Sequence, residues 1–299
     1  MKSNSSVKKV MMVMTIVLCA VVLSGCRVPT DASGAIKQIT MDTSFQDIMN
    51  SENWFSAILV WPLAWTINML TPKIGVILAI TFVTIMVNGL LLAVTMRSQI
   101  GMQEMQLLQP ELEKIQRKYE GMTDTASRTK QFGEMQALYA KHHVNPGAMF
   151  LVQFLQFPII IAMYQAVQRA SAVKTATVGA MSLETTIWNG MKSMQWEFFA
   201  LFIIMGTAQF ISMSLPMWIN KRKAKKEAEK HHRKPETPRQ SSQMQSMQYY
   251  MLAMILVFGL MWPAAMSVYW AIYSLVTIAK TFIVQKAIEK HRVGQEGRA

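Results

Sequence analysis

The chain is poor in the residues that carry most catalytic and metal chemistry. It contains two cysteines and five histidines among 299 residues. It has no glycine-rich loop of the nucleotide-binding kind, and no group of cysteine, histidine and carboxylate residues at metal-ligand spacing. We therefore predict that the protein is not an enzyme and that it holds neither a metal ion nor a cofactor.

Acidic residues are the second scarcity, with 17 Asp and Glu against 30 Lys and Arg and a formal net charge of +13. Long apolar stretches are abundant instead. Five of them are near the ~20 residues that a helix needs to cross a bilayer. They are residues 74–96, 149–167, 198–217, 249–265 and 266–284. Because no Asp, Glu, His or Lys lies in the middle of these stretches and no internal repeat is evident, an ion-coupled transporter is disfavoured.

The basic residues alternate steeply between the connections. Residues 97–145, 219–246 and 280–299 carry 21 Lys and Arg, whereas residues 26–73 and 168–197 carry six. Cytoplasmic connections of membrane proteins are the more basic ones. The sequence therefore predicts five transmembrane helices in the plasma membrane, with the N-terminus outside the cell and the C-terminus in the cytoplasm.

The first 25 residues have the composition of a signal peptide. Three lysines precede an apolar stretch, residues 10–23, that is too short to cross a membrane. Small residues then precede Cys26, a pattern that resembles a bacterial lipobox, in which the cysteine sulfur receives a diacylglyceryl group and becomes the mature N-terminus. We predict a lipoprotein signal peptide over residues 1–25 and a lipid-anchored extracellular segment over residues 26–73. Because Cys19 leaves with the signal, the mature chain cannot form an internal disulfide.

One further apolar stretch, residues 55–70, is only 16 residues long and contains Pro62. Counting it as a span would place the basic connections outside. Trp54, Trp61 and Trp65 recur on one helical face, as aromatic residues at the headgroup level do. We predict an interfacial helix.

The cytoplasmic connections differ from one another. Two apolar stripes at helical spacing, separated by Gly121 and Asp124, predict an antiparallel helical hairpin over residues 97–145. The hairpin is either a solvated structural element or a docking arm for a substrate. The stripes are Met105, Leu108, Leu112, Ile115 and Tyr119, then Phe132, Met135, Leu138 and Tyr139. Residues 219–246 predict a helical start followed by a disordered linker, and residues 286–299 form a basic tail.

Polar side chains inside the spans fall on single helical faces. Such stripes either join helices by hydrogen bonds or line a hydrated groove. Stripes on four of the five spans favour the groove. The residues are Thr81, Thr84, Asn88 and Thr95, then Gln153 and Gln156, then Gln209 and Ser212, and finally Ser267, Trp270, Ser274, Thr277 and Thr281.

Several segments of the chain resemble the YidC/Oxa/Albino membrane protein insertases. One resembles the first cytoplasmic helix of that family and others resemble its second, third and fifth spans, over roughly residues 54–284. These segments are Met105-Gln106, Leu108-Gln109-Pro110-Glu111, Ile115-Gln116-Arg117-Lys118-Tyr119, Asn145-Pro146, Gln156-Phe157-Pro158-Ile159, Met163-Tyr164, Gln209 and Pro263-Ala264-Ala265-Met266-Ser267-Val268-Tyr269-Trp270. The length resembles the Gram-positive form.

The resemblance implies an all-α membrane protein whose five-span core covers residues 74–285. It also implies insertion and folding of nascent membrane proteins through a groove open to the cytoplasm and the lipid, without use of a nucleotide. The implied partners are ribosomes that bind the basic loops, the Sec translocon and membrane lipids, and the expected unit is a monomer. The groove residues that we expect are Thr84, Asn88, Gln156, Gln209 and Trp270.

Asn88 stands where the resemblance places a groove arginine. Arg97 does not replace that arginine, because nine helical residues put it ~13 Å further along and on the opposite side of the helix. A neutral amide keeps hydrogen-bonding capacity but loses the attraction for acidic substrate segments. Two other functions remain open. The polar stripes are also compatible with a channel or transporter for a small polar solute, and the basic ends are compatible with a scaffold that recruits ribosomes.

Overall fold

The computed structural model describes residues 28–142, 144, 146–230 and 239–296. Within these residues the chain forms eleven α-helices, one π-helical turn and one antiparallel sheet of two short strands. The predicted all-α class is therefore confirmed. The predicted signal peptide, Cys26 and residues 231–238 of the basic loop lie outside the described part of the chain.

The chain divides into two compact units. The first holds the described residues up to Val87, together with Gln153–Phe202 and Gly259–Ile272. The second holds Asn88–Val152, Ile203–Phe258 and the described residues from Tyr273 onwards. Five long helices have residues in both units, so each unit is built from helix segments that are far apart in the sequence.

The first unit begins with the segment that precedes the spans. Helix α1, Phe45–Ser51, starts at a capping box made by Ser44 and Asp47. A π-helical turn, Ser56–Val60, then leads directly into α2, Trp61–Ile74, which ends at Gly75 with a φ of 81°. A helix thus forms where we predicted one over residues 55–70.

The tryptophans of this helix make contacts within the protein. The Trp61 Nε1 donates to the Thr43 carbonyl at 2.8 Å, and the Trp61 and Trp65 rings are stacked with centroids 6.1 Å apart. Trp54 is half exposed. One face of α2 is buried at Ala64 and Ile67.

Five long helices follow: α3 Val76–Leu107, α6 Pro146–Arg169, α9 Trp196–Lys230, α10 Arg239–Met261 and α11 Ala264–Glu296. Three stretches of them are long and apolar enough to cross a membrane: Val76–Gly101, Trp196–Lys223 and Ala264–Glu289. They coincide with the first, third and fifth predicted spans. The apolar part of α10, Gln248–Met261, is shorter.

The boundary between the last two predicted spans is wrong by several residues. We placed the fourth span at residues 249–265, but α10 ends at Met261 and α11 already begins at Ala264. Pro263 explains the break, because proline lacks an N–H and disfavours a helical conformation of the residue before it. Residues 239–246, predicted as linker, belong to α10.

Two helices lie between α3 and α6 in the second unit: α4, Gln109–Lys118, and α5, Thr125–Lys141. The Asp124 side chain caps α5 by accepting from the Ser127 N–H, as the sequence predicts. Leu108, Leu112 and Val144 form a small core, against which Met105, Met135, Leu138 and Tyr139 pack. Phe132 was predicted for the second stripe, but it is 62% exposed and faces solvent.

Short elements connect α6 to α9 in the first unit: α7 Ser171–Lys174, β1 Thr177–Val178, β2 Met181–Ser182 and α8 Ile187–Lys192. Helix α8 packs against the first turn of α9 at Gly190. A Cβ at Gly190 would lie 2.2 Å from the Phe198 ring, so only glycine allows this close approach.

Candidate functional site

Neutral polar side chains are buried in the membrane-length helices of the second unit. Gln209 on α9 and Ser274 on α11 are 6% and 0% exposed. The Ser274 hydroxyl donates to the Gln209 Oε1 at 2.5 Å. This bond connects two predicted spans and brings the predicted groove residue Gln209 to the polar stripe of α11.

A second polar contact joins the same two helices nearer their C-terminal ends. The Lys223 ammonium donates to the Gln285 Oε1 at 2.6 Å and lies 3.1 Å from a Glu289 carboxylate oxygen. Since Gln209 pairs with Ser274 and Lys223 pairs with Gln285, the residue numbers increase together on both helices. Helices α9 and α11 therefore run in the same direction.

Asn88 lies on α3, in the second unit, and its side chain is 6% exposed. Arg97 is exposed nine residues later in the same uninterrupted helix. The helical rise and turn separate the two positions by ~13 Å and half a revolution, so Arg97 is not a substitute cation at the position of Asn88.

The other predicted groove residues belong to the first unit. Thr84 is fully buried, whereas Gln156 and Trp270 are half-buried. The Trp270 ring lies beside that of Tyr269, with centroids 6.1 Å apart. Of the five predicted groove residues, then, the structure leaves two partly open and buries three.

Most hydroxyl groups in the polar stripes bond to their own helix. A threonine or serine in a helix can donate to the carbonyl one turn earlier, which satisfies the hydroxyl without a partner helix. Four stripe hydroxyls do so: Thr81 to Ile77, Thr84 to Ile80, Thr95 to Leu91 and Thr281 to Thr277. The Ser274–Gln209 bond differs from these because it crosses between helices.

A buried ion pair in the first unit was not anticipated. Arg169, the last residue of α6, is fully buried, and the Glu52 side chain is 3% exposed. The guanidinium holds Glu52 through both carboxylate oxygens, at 2.9 and 2.5 Å. Its Nε donates to the Lys37 carbonyl at 2.9 Å, and its Nη1 lies 3.5 Å from the Ser56 hydroxyl. Buried charges of this kind require such complete pairing.

Backbone pairing reinforces this ion pair. The Ile39 N–H donates to the Arg169 carbonyl at 2.7 Å, and the Ser171 N–H donates to the Ile39 carbonyl at 3.1 Å. The Asn68 amide donates to the same Ile39 carbonyl at 2.6 Å and accepts from the Ala172 N–H at 3.0 Å. The segment before α1 is thereby fixed across the C-terminal end of α6.

Sequence reasoning missed this cluster because it treated Arg169 only as a loop charge. The partner, Glu52, is 117 residues earlier in the chain. A charged residue directly at the end of an apolar stretch is a signal that could have raised the question, but it does not identify the partner.

Helices α4 and α5 carry a more exposed charge cluster. The Lys118 ammonium lies 2.5 Å from a Glu134 carboxylate oxygen, and the Tyr119 hydroxyl donates to the same oxygen at 2.9 Å. The hydrogen bond from Lys118 lowers the pKa of Glu134, and the bond to Glu134 raises the pKa of Lys118. These contacts connect the end of α4 to the middle of α5.

Helices of membrane-spanning length, with neutral polar groups buried inside them, define an integral membrane protein. Within the described residues, no group of His, Cys, Asp and Glu is arranged to hold a metal ion. The model of the 60Kd inner membrane protein family matches residues 65–291, most of the chain. The chain belongs to this family, and the family predicted from its motifs is confirmed.

Curated relatives agree with the assignment. The chain is 30% identical over 238 residues to the membrane protein insertase MisCA of Bacillus subtilis, covering 79% of this chain and 81% of the relative. It is 27% identical over 289 residues to the membrane protein insertase YidC of Alkalihalophilus pseudofirmus, covering 95% and 97%. It is 26% identical over 295 residues to YidC 2 of Listeria innocua, covering 98% and 88%.

Proposed function

We propose that the chain inserts and folds nascent membrane proteins by giving their short polar segments a neutral, hydrogen-bonding path through half of the bilayer. Membership of the family and the names of the relatives place the chain among membrane protein insertases, which are not enzymes. The observation that carries the proposed path is the burial of uncharged polar side chains, such as Gln209 and Ser274, inside helices of membrane length.

The topology proposed for this function has five spans, formed by α3, α6, α9, α10 and α11. The parallel course of α9 and α11 supports it, because two spans separated by a single intervening span must run in the same direction. The N-terminal segment is then extracellular, and the basic residues of the second unit, including Lys118 and Lys223, are cytoplasmic. Helices α4 and α5 are proposed to form a cytoplasmic hairpin that docks the substrate, with their mixed-charge surface facing water.

The groove is proposed to be lined by Thr84, Asn88, Gln156, Gln209 and Trp270. The half-buried Gln156 and Trp270 are open enough for a polar segment to contact them, and the buried Thr84, Asn88 and Gln209 supply further hydrogen-bonding groups on their own helices. Water or polar groups in this region shorten the low-dielectric path that a polar segment must cross. The transmembrane segment of the substrate then moves into lipid beside the exposed apolar faces.

The basic cytoplasmic parts supply the proposed partner contacts. The Lys and Arg side chains of residues 219–246 and 286–299 attract the phosphates of ribosomal RNA. Binding of this kind becomes weaker as the salt concentration rises. We further propose that the chain works as a monomer in the plasma membrane, alone or beside the Sec translocon. A diacylglyceryl group on Cys26 would anchor the N-terminal segment to the outer leaflet lipids.

Reconstitution tests the function directly. The purified chain is placed in lipid vesicles, and insertion of a small two-span substrate is scored by protease protection, with protein-free vesicles as control. Entry of a small polar solute is measured in the same vesicles. Insertion without solute entry is expected. Solute entry without insertion would identify a channel, and binding of ribosomes without insertion would identify a scaffold.

Depletion of the resident insertase in a bacterial cell provides the second arm of this test. Expression of the chain should restore growth and insertion of the two-span substrate. A variant with leucine at both Gln209 and Ser274 is the matched control, since it removes the interhelical polar contact while keeping the apolar character of both spans.

A further inference from the structure

Burial of the Arg169–Glu52 pair carries a large desolvation free energy, so packing alone does not explain why the pair is there. An ion pair taken out of water is often no more stabilising than two apolar side chains of similar volume, and its advantage is a defined geometry. Here the guanidinium is engaged at Nε, Nη1 and Nη2 by three separate parts of one segment. The pair thus specifies where that segment sits on α6.

The segment concerned is residues 37–56, which we call the outer cap. Its backbone at Ile39 pairs with the end of α6, and its side chains Ile39, Ile48 and Phe55 are at most 2% exposed. Glu52 and Ser56 lie at its far end and meet the Arg169 side chain. The outer cap is therefore attached at both of its ends to the last turn of one helix.

We propose that Arg169 and Glu52 are positioning residues that keep the outer cap closed over the extracellular end of α6. The closed outer cap blocks access from outside to the interior of the first unit. A polar path that opens from the cytoplasm then does not become a continuous channel across the membrane. The proposal rests on the proposed function and on its topology, which place the end of α6 at the outer surface.

A neighbouring ion pair offers a matched control. Lys174 and Glu184 also lie in the first unit, 3.4 Å apart, but their side chains are 38% and 59% exposed. Exposed pairs contribute little to stability, because water and salt screen them. Removing Lys174 changes the charge of this region by the same amount as removing Arg169, without leaving a buried charge unpaired.

Thiol labelling from outside intact cells tests the proposal. Ala166 is fully buried on α6, one turn before Arg169, and the Ala166→Cys variant serves as the probe. Background labelling is measured in the chain without this substitution, which after processing retains Cys26 alone. A membrane-impermeant maleimide should label the probe slowly when the outer cap is closed.

Arg169→Met and Glu52→Gln should each raise the labelling rate about tenfold or more, because each removes the bidentate charge pairing of a buried partner. The Lys37 ammonium, 3.7 Å from the Glu52 carboxylate, does not replace the two guanidinium bonds. The double variant Arg169→Met with Glu52→Leu should label more slowly than either single variant but faster than the original chain, since two apolar side chains fill the space without fixing the outer cap at the Lys37 carbonyl and the Ser56 hydroxyl. Lys174→Ala should label at the original rate. If Arg169→Met does not accumulate in the membrane, the milder Glu52→Gln carries the same comparison.

Two results would overturn the proposal: unchanged labelling in membrane-embedded Glu52→Gln protein, or an equal rise in the Lys174→Ala control. Failure of the proposed function has a different signature, because the unmodified chain would then not insert the two-span substrate whatever the labelling shows. Insertion with normal labelling in every variant would leave the function intact and refute the role of the pair.

Discussion

Asn88 stands where the resemblance to the family predicts an arginine, and its replacement by leucine tests the proposed neutral groove. Leucine has the same branched arrangement of heavy atoms as asparagine and is larger, so Asn88→Leu removes hydrogen-bonding capacity without opening a cavity. The side chain is 6% exposed on α3. We expect slower insertion with little loss of folded protein.

The size of this effect follows from the strength of hydrogen bonds between membrane helices. Such bonds contribute ~0.6 kcal/mol on average and up to ~1.7 kcal/mol. These free energies correspond to changes in rate of about 3-fold and about 16-fold. The assay is single-round insertion into reconstituted vesicles, with Val87→Leu as control, since Val87 is the half-buried apolar neighbour. An Asn88→Leu rate equal to that of the control would show that Asn88 only packs.

The reverse substitution, Asn88→Arg, tests the missing charge. A neutral groove exerts no long-range attraction on a carboxylate, so the unmodified chain should insert a substrate equally well with or without acidic residues in its short outer segment. Asn88→Arg should make insertion depend on those residues, and the dependence should weaken with salt. If the unmodified chain already requires them, another cation is responsible and our interpretation of Asn88 is wrong.

Three further predictions concern the periphery of the molecule. Mass analysis of the mature protein should show a diacylglyceryl adduct on Cys26 and no residues 1–25, whereas Cys26→Ala should abolish the adduct yet leave the protein in the membrane, because one lipid anchor adds little to several spans. Deletion of residues 286–299 should reduce co-sedimentation with ribosomes at low salt, and equal binding with and without these residues would reduce them to a topology signal. Crosslinking between α4 and α5 should be constant above pH 4.5 and should decline only as the pH falls below the lowered pKa of Glu134, because its stabilising contact with Lys118 exists only while the carboxylate is ionised.

The spans were predictable because hydropathy and length are properties of contiguous residues. Three of the five predicted spans coincide with helices of membrane length. The errors lie where local chemistry competes with hydropathy. Pro263 interrupts an apolar stretch that a composition window reads as continuous, and helical spacing cannot tell whether Phe132 faces the partner helix or water.

The candidate site was predictable only at the level of residue types and helical faces. Periodicity placed Ser274 on a polar face of its helix, but it could not show that the partner is Gln209, 65 residues earlier. Long-range pairs of this kind depend on how helices pack, which is set by the sum of many apolar contacts along the chain.

Arg169 shows the same limit for charges. Counting basic residues on either side of the membrane predicts orientation well, because each charge resists transfer across the bilayer while the chain is being inserted. The count says nothing about what the charge does after folding. In the folded chain the Arg169 guanidinium is withdrawn from water and bound by Glu52, so a basic residue of a predicted outer connection serves as a structural contact. A variant that keeps the positive charge while losing the bidentate contact, Arg169→Lys, separates the charge count from the contact: the charge count and with it the orientation should persist, whereas closure of the outer cap should weaken.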